Sequence, residues 1–252
     1  MIQRVLKAGF LAGLVVGLAI AVLQHFTTSQ LILQGEVYEK AAHHHHAALN
    51  SPALPIVLVH DHGTNAAASE PEEEEDEGWQ PAKGWQRVTA TSIATIATSI
   101  GYALILIAAM VAAGVPIAPR TAFLWGIAAF AATSLAPALG LSPELPGSAA
   151  APLLSRQVWW VATALSTAAG IFVLARLECT TAKMLAIALI VLPHLIGAPK
   201  PPNFKSTAPA ELAAQFASTS LVVSAVLWAL LGLAVGYAWQ RVARQQAAAV
   251  PA

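Results

Sequence analysis

The sequence predicts an all-α fold, a multi-pass transmembrane helical bundle of about six helices, from its composition and its hydropathy pattern. Of the 252 residues, 57% are hydrophobic and only 10% are charged, and the mean hydropathy is +0.64. A soluble domain would carry about a quarter charged residues. The apolar residues form runs of about 17–25 residues, the length that a helix needs to cross a bilayer. This composition excludes an ordinary soluble enzyme, and the net charge of zero gives no support for nucleic-acid binding.

The first predicted helix covers residues 5–26 and carries Gly9, Gly13 and Gly17. Because a four-residue spacing places these glycines on one helical face, we expect another helix to approach closely there. Basic residues before this segment and Ala19-Ile20-Ala21 within it also fit a cleaved signal peptide. Its apolar run is long enough to cross a bilayer, and we therefore favour an uncleaved spanning helix.

Five further helices are predicted, over residues 93–115, 121–141, 158–175, 182–198 and 221–239. The segment 182–198 is at the lower limit of the length needed to span. If it does not cross, five spans remain and the C-terminus changes side. Trp159 and Trp160 are interpreted as an interfacial pair, and the last helix carries Gly232 and Gly236.

Two proline motifs repeat with the same spacing. Pro137-Ala138-Leu139 is followed by Pro143, and Pro193-His194-Leu195 is followed by Pro199. One interpretation is that two related helical hairpins place unwound backbone, with exposed carbonyl groups, at a transport site. The other is that the prolines simply end helices at the membrane interface.

The orientation is predicted from the basic residues that flank the helices. With the N-terminus inside, the inner flanks hold Arg4, Lys7, Arg120, Arg176, Lys183, Arg241 and Arg244. The basic residues of the outer loops are nearly as many, but they are spread over much longer segments. This places residues 27–87 outside.

Residues 27–87 are predicted to be a low-complexity, metal-binding outer loop of one membrane domain that covers residues 1–252. The loop holds six of the eight histidines and ten of the thirteen acidic residues. Imidazole and carboxylate groups are donors that divalent metal ions prefer. The candidate ligands are His43, His44, His45, His46, His60, Asp61 and His62, followed by the acidic residues between Glu70 and Glu77. We interpret the loop as a flexible antenna for metal ions; the alternative is a solvated linker. The tail, residues 245–252, is predicted to be disordered.

Two histidines lie inside apolar segments, where ionisable groups are rare and usually functional. His25 and His194 would both lie near the outer ends of their helices, and we expect them to form an entrance site together with Gln24. Glu36 and Glu39 follow the first helix and would share a helical face, from which they could pass an ion inward. The alternatives are interfacial histidines bonded to backbone or water and solvated carboxylates.

Other polar residues are given structural roles. Glu144 is expected to pair with Arg156, and Glu211 to open the last helix, where a carboxylate complements the helix dipole. Cys179 is the only cysteine, so no intrachain disulfide forms, and it is interpreted as a small apolar residue. No phosphate-binding Gly-rich motif occurs. Transport would therefore use an ion gradient, the membrane potential or a partner.

Several motifs together resemble the CbtA family, probable cobalt transporter subunits of bacteria. They are Gln24-His25-Phe26, Glu36-Val37-Tyr38-Glu39, Gly84-Trp85-Gln86-Arg87, Leu135-Ala136-Pro137-Ala138-Leu139-Gly140-Leu141, Pro143-Glu144-Leu145-Pro146-Gly147, Arg156-Gln157-Val158-Trp159-Trp160, Leu192-Pro193-His194-Leu195-Ile196-Gly197-Ala198-Pro199 and Pro209-Ala210-Glu211-Leu212. The resemblance implies cobalt uptake linked to cobalamin synthesis, about five helices, and a small single-span partner of the CbtB type that itself bears histidines.

The sequence therefore predicts a non-enzymatic subunit that imports cobalt(II) across the bacterial inner membrane, with its N-terminus in the cytoplasm. Cobalt would be the transported ion, with no tightly bound cofactor. The partners would be the lipid bilayer, the CbtB-type subunit and, as an open question, further copies of the chain. The alternatives are a non-transporting metal sensor or scaffold and a nickel or zinc permease.

Overall fold

The computed structural model describes residues 1–49 and 84–248, with the side chains of residues 42–49 excepted. This part of the chain is helical and contains no strand. The helices are α1 (Ile2–Phe26), α2 (Thr28–Leu49), α3 (Trp85–Ala112), α4 (Pro119–Phe130), α5 (Ala136–Ala138), α6 (Leu153–Arg176), α7 (Thr180–Ile196) and α8 (Ala210–Ala248), and a π-helical turn (Ala131–Leu135) joins α4 to α5. The predicted all-α bundle is confirmed. By length and hydropathy, five of the described helices can cross a membrane: α1, α3, α4 continued through α5, α6 and α8.

The core of the bundle lies where α1 packs against α3 and α8. The predicted glycine face of α1 forms the contact with α3, because a side chain on Gly13 would meet the backbone of Ile100. A Cβ on Gly17 would lie 2.7 Å from the Cα of Ile96. The face is therefore a helix–helix contact, and it commits α1 to the interior of the bundle.

Glycines also bring α4 and α8 together. A Cβ on Gly232 would lie 2.5 Å from the carbonyl oxygen of Ala122, and one on Gly236 would lie 2.6 Å from the nitrogen of Pro119. On α4, Gly126 faces the backbone of Trp228 in the same way. The two helices pack backbone to backbone along α4.

Helices α6 and α7 form a hairpin that contacts the rest of the described bundle mainly through the π-helical turn and α5. Trp159 of α6 is buried, and its indole Nε1 donates a hydrogen bond of 3.2 Å to the carbonyl oxygen of Pro193 in α7. The indole of Trp159 therefore holds the hairpin together, and the interpretation of Trp159 and Trp160 as an interfacial pair stays a prediction. Trp160 is 41% exposed.

The connections divide between two ends of the bundle. The segments 139–152 and 197–209 meet at one end, where the amide of Thr207 donates to the carbonyl of Gly147 (2.9 Å). We call this the loop end. The opposite end, which we call the basic end, joins the start of α1 to the end of α8, since the guanidinium of Arg4 lies 4.1 Å from the ring centroid of Trp239. The seven basic residues predicted to be inner all lie towards the basic end.

Helix α7 has 17 residues and is too short to count among the five long spans. Its length is nonetheless about 25 Å at 1.5 Å per residue. It begins at the basic end and ends beside Trp159, so it returns the chain to the loop end, where α8 begins. Among the described helices, α7 therefore runs between the two ends as the five long helices do. The count of six spanning helices stays a prediction, because only five meet the length and hydropathy of a span.

The structure corrects two predicted boundaries. Residues 28–49, predicted as part of the low-complexity outer loop 27–87, form α2, which packs against α1 and α8. Its N-terminal half carries the apolar residues Leu31 and Ile32, which pack in a small cluster at the loop end. In the tail, predicted to be disordered from residue 245, α8 continues to Ala248.

Candidate functional site

The loop end carries a small apolar cluster outside the main core. Leu31 of α2, Leu145, Ala208 and Phe216 of α8 are buried together there. The cluster fixes α2 over the two connecting segments.

His25 is exposed at the end of α1, beside a small pocket of about 150 Å³. The side-chain oxygen of Gln24 accepts a hydrogen bond of 2.8 Å from the hydroxyl of Thr95 on α3. The pocket is also lined by the hydroxyl side chains of Ser29, Thr91 and Ser92. Oxygen and nitrogen donors thus surround the position at which α1 reaches the loop end.

Glu36 is bound by a guanidinium group. Both of its carboxylate oxygens accept hydrogen bonds from Arg87 of α3, one of them at 3.0 Å, and Lys40 lies 3.7 Å away. This ion pair ties α2 to α3, so a metal ion at Glu36 would have to displace Arg87. Glu39 lies one turn further along α2, where its Cβ is close to Gly147.

His194 is half-buried in a separate pocket of about 350 Å³. Its ring packs edge-on against Trp159, with 5.9 Å between the ring centroids. The two proline motifs meet here, because Gly140, Ala198 and Trp159 are in contact. Both motifs end helices at the loop end, and each proline carbonyl accepts a backbone hydrogen bond four residues on: Leu141 to Pro137 (2.8 Å) and Gly197 to Pro193 (3.0 Å).

The structure places His25 and His194 at the same end of the bundle, but it does not bring them together. They line different pockets, and among the described helices α7 packs against α6 while α1 packs against α2, α3 and α8. Among the described side chains, no three His, Cys, Asp or Glu residues converge to hold a metal ion. Two residues at the same depth in the membrane need not be close together. Hydropathy indicates the depth of a residue in its helix, whereas helix packing decides which helices are neighbours.

The structure describes only some of the candidate metal ligands that were predicted in the loop 27–87. His43, His44, His45 and His46 lie in the C-terminal half of α2, and their side chains are not described. His60, Asp61, His62 and the acidic residues Glu70 to Glu77 lie outside the described residues. The antenna interpretation of this segment stays a prediction.

A cavity of about 810 Å³ in the described part of the chain was not predicted as a site from the sequence. It lies between the π-helical turn, α6 and α8, and its hydroxyl-bearing lining residues include Thr133, Ser134 and Ser224. At its mouth Glu144 forms an ion pair with Arg156, which confirms the predicted pairing. A sequence signal existed: the adjacent hydroxyl residues Thr133 and Ser134 stand in an apolar helix three residues before Pro137.

Apolar helices packed through glycines, with apolar side chains left exposed along α7 and elsewhere, define a multi-pass helical membrane protein. Residues 2–240 match the sequence profile of the family described as "Probable cobalt transporter subunit (CbtA)". The match covers nearly the whole chain, and the protein therefore belongs to the CbtA family. No curated protein and no solved structure gives a significant match.

Proposed function

We propose that this protein is the membrane subunit through which cobalt(II) is taken up across the bacterial inner membrane, for cobalamin synthesis. The observation that carries the proposal is the family match over residues 2–240, from the start of α1 into α8. A cation-import role also fits the concentration of histidine and acidic residues in the connection between α2 and α3. The absence of a phosphate-binding motif in the sequence fits transport driven from outside the chain.

The proposed route begins at the segment between α1 and α3. His43–His46, His60, Asp61 and His62 capture the ion weakly, and the acidic block raises the local cation concentration. Glu36, Glu39 and His25 form one receiving point at the loop end, and His194 forms a second. Because these two points lie in separate pockets, we propose that they act independently rather than as one shared site.

The proposed orientation places the loop end outside and the N-terminus in the cytoplasm, following the basic residues at the opposite end. A divalent cation that enters an inside-negative cell then gains about 4.6 kcal/mol per 100 mV, twice the value for a single charge. The membrane potential alone is therefore sufficient to drive accumulation. The partner we propose is a small single-span subunit of the CbtB type, docked on an exposed apolar face of the bundle.

The function is tested by measuring radioactive cobalt uptake in cells that express the full chain with the CbtB-type subunit. Cobalt uptake that excess nickel or zinc fails to suppress supports a cobalt importer. Suppression by either metal at equal concentration favours the broader permease. No flux for any of the three metals, with the partner present, favours a non-transporting sensor or scaffold.

His25→Ala and His194→Ala are each expected to reduce cobalt uptake at low external cobalt. Loss of an imidazole ligand from either receiving point is expected to raise the KM for cobalt by about tenfold. This is the scale of effect seen when groups around a metal site are removed. If the two points act independently, their effects on free energy add, and the KM of the double variant should rise by the product of the two single increases. Wild-type uptake in both single variants would remove the histidines from the mechanism.

Cys179 provides a test of orientation because it is the only cysteine and is exposed at the start of α7, at the basic end. Hydrogen bonds from the backbone amides of Ala182 and Thr181 lower the pKa of its thiol. We expect an impermeant maleimide to label Cys179 only after the cells are opened, and to do so with a pH midpoint below that of a free thiol. In a Cys179→Ser background, Lys205→Cys at the loop end should be labelled in intact cells. The reverse pattern would invert the proposed orientation.

A further inference from the structure

The cavity lies between α6 and α8, which both run from the loop end to the basic end without a close approach of their backbones. The π-helical turn and α5 form its third wall. The lining extends from Leu141, just beyond the end of α5, to Thr133 in the π-helical turn, so the cavity reaches from the loop end into the bundle. It is an indentation of the membrane-spanning region that opens towards the loop end.

The wall formed by the π-helical turn offers oxygen atoms. The amide of Ala136 donates to the carbonyl of Ala131, five residues back, and the next residue is Pro137. Because proline has no amide hydrogen, one carbonyl of this turn lacks its usual backbone donor. The hydroxyl of Thr133 donates to the carbonyl of Ala129 (2.8 Å), and its own oxygen is left to accept. Such turns occur frequently at functional sites.

The two charged side chains at the mouth of the cavity, Glu144 and Arg156, form an ion pair. Arg156, at the start of α6, donates from Nη1 to Oε2 of Glu144, and about 30% of each side chain is exposed. A hydrated divalent cation carries twice the charge of the guanidinium but lies further from the carboxylate by the width of one water, so the two attractions to Glu144 are of the same order. The pair can therefore be exchanged for a dication without leaving Glu144 unpaired.

The volume decides which form of the ion fits. A cation with six waters occupies about 180 Å³, at about 30 Å³ for each water. The cavity of about 810 Å³ accommodates that hydrated ion, and it is far too large for a cage that binds a bare one. The cavity would therefore bind the ion through hydrogen bonds that the ion's waters donate to carboxylate, hydroxyl and carbonyl oxygens.

We propose that this cavity is an outward-facing vestibule for a hydrated divalent cation, held by Glu144 at its mouth and by Ser134 and Ser224 further in. Arrival of the cation displaces Arg156 from Glu144. The vestibule rests on the proposed function and deepens it, because it places a further binding step inside the bundle and away from both histidine pockets. It also assigns the π-helical turn a role, namely to present oxygen atoms to the ion's water shell.

The vestibule is tested by the KM for cobalt uptake in cells that also express the CbtB-type subunit. Glu144→Gln should raise KM by about tenfold, because a charge-assisted hydrogen bond to the ion's waters is lost. Arg156→Gln should lower KM, because the cation no longer competes with the guanidinium. Ser134→Ala and Ser224→Ala should each raise KM by about threefold. Two matched controls should leave KM unchanged: Lys183→Gln, which breaks an ion pair at the basic end, and Ser218→Ala on α8.

Opposite shifts at Glu144 and Arg156 distinguish a cation site from an ion pair that only fixes the loop. Equal losses in both variants would assign the pair a structural role and overturn the vestibule. Wild-type uptake with an unchanged KM in Glu144→Gln would also overturn the vestibule while leaving the proposed function intact. Absence of uptake in the wild type would overturn the proposed function itself.

A labelling experiment tests access to the cavity independently of transport. In a Cys179→Ser background, Ser224→Cys should react with a charged thiol reagent added outside, and cobalt(II) should slow the reaction. Glu144→Gln should abolish that protection while the histidine-rich segment stays intact. Val222→Cys, two residues away and 62% exposed, should not react, because it faces lipid rather than the cavity. An unreactive Ser224→Cys would show that lipid or a partner helix fills the space, and would overturn the vestibule.

Discussion

Gly13→Leu is expected to lower the free energy of unfolding by about 3 kcal/mol or more, at or above the upper end of the usual effect of overpacking. A side chain at this position meets the backbone of Ile100 on α3. Backbone cannot move aside as the end of a flexible side chain can, so the substitution forces α1 and α3 apart. The measurement is the unfolding free energy of the detergent-solubilised protein.

The matched control is Gly101→Leu on the partner helix α3. A Cβ at Gly101 meets nothing within 4 Å. This change should be neutral or stabilise the protein by up to about 1 kcal/mol, because leucine favours a helix more than glycine does. Equal destabilisation by the two variants would contradict the glycine face as the contact between α1 and α3.

Trp159→Ala is expected to lower the free energy of unfolding by about 3–5 kcal/mol, the range for large aromatic residues in a core. Two contributions act together. The indole is only 8% exposed, so its removal leaves a void between α6 and α7. The carbonyl of Pro193 also loses the hydrogen bond from Nε1, which contributes about 1 kcal/mol.

The adjacent Trp160 provides the control for Trp159. It is 41% exposed, and Trp160→Ala should cost about 1 kcal/mol because less apolar area is withdrawn from contact. Trp159→Phe separates the two contributions, since it retains most of the packing but removes the hydrogen bond. Similar losses for the two alanine variants would contradict the role of Trp159 in joining the hairpin.

Much of the fold follows from local signals. Long apolar runs predict the spans, and the four-residue spacing of Gly9, Gly13 and Gly17 predicts a face that a second helix approaches. The pairing of Glu144 with Arg156 is predicted as well, because the two residues lie only twelve apart across one loop. Each of these features depends on residues that are close along the chain.

Helix α2 shows where hydropathy fails. Its N-terminal half carries Leu31 and Ile32, but the histidines and acids that follow lower the average over any long window. Burial of Leu31 against Leu145, Ala208 and Phe216 makes the segment part of the bundle. Those partners lie more than a hundred residues further along, so no local pattern could have identified them.

By itself, the sequence determined that this is a multi-pass helical membrane protein, which residues flank its helices, and which segment concentrates metal-binding side chains. Only the tertiary structure decided that His25 and His194 lie in separate pockets, and that Thr133, Ser134 and Ser224 face one cavity. The physical reason is that hydropathy and helical period act within one helix. Which helices become neighbours depends on how their glycines and large side chains fit together, and that fit is a property of the whole bundle.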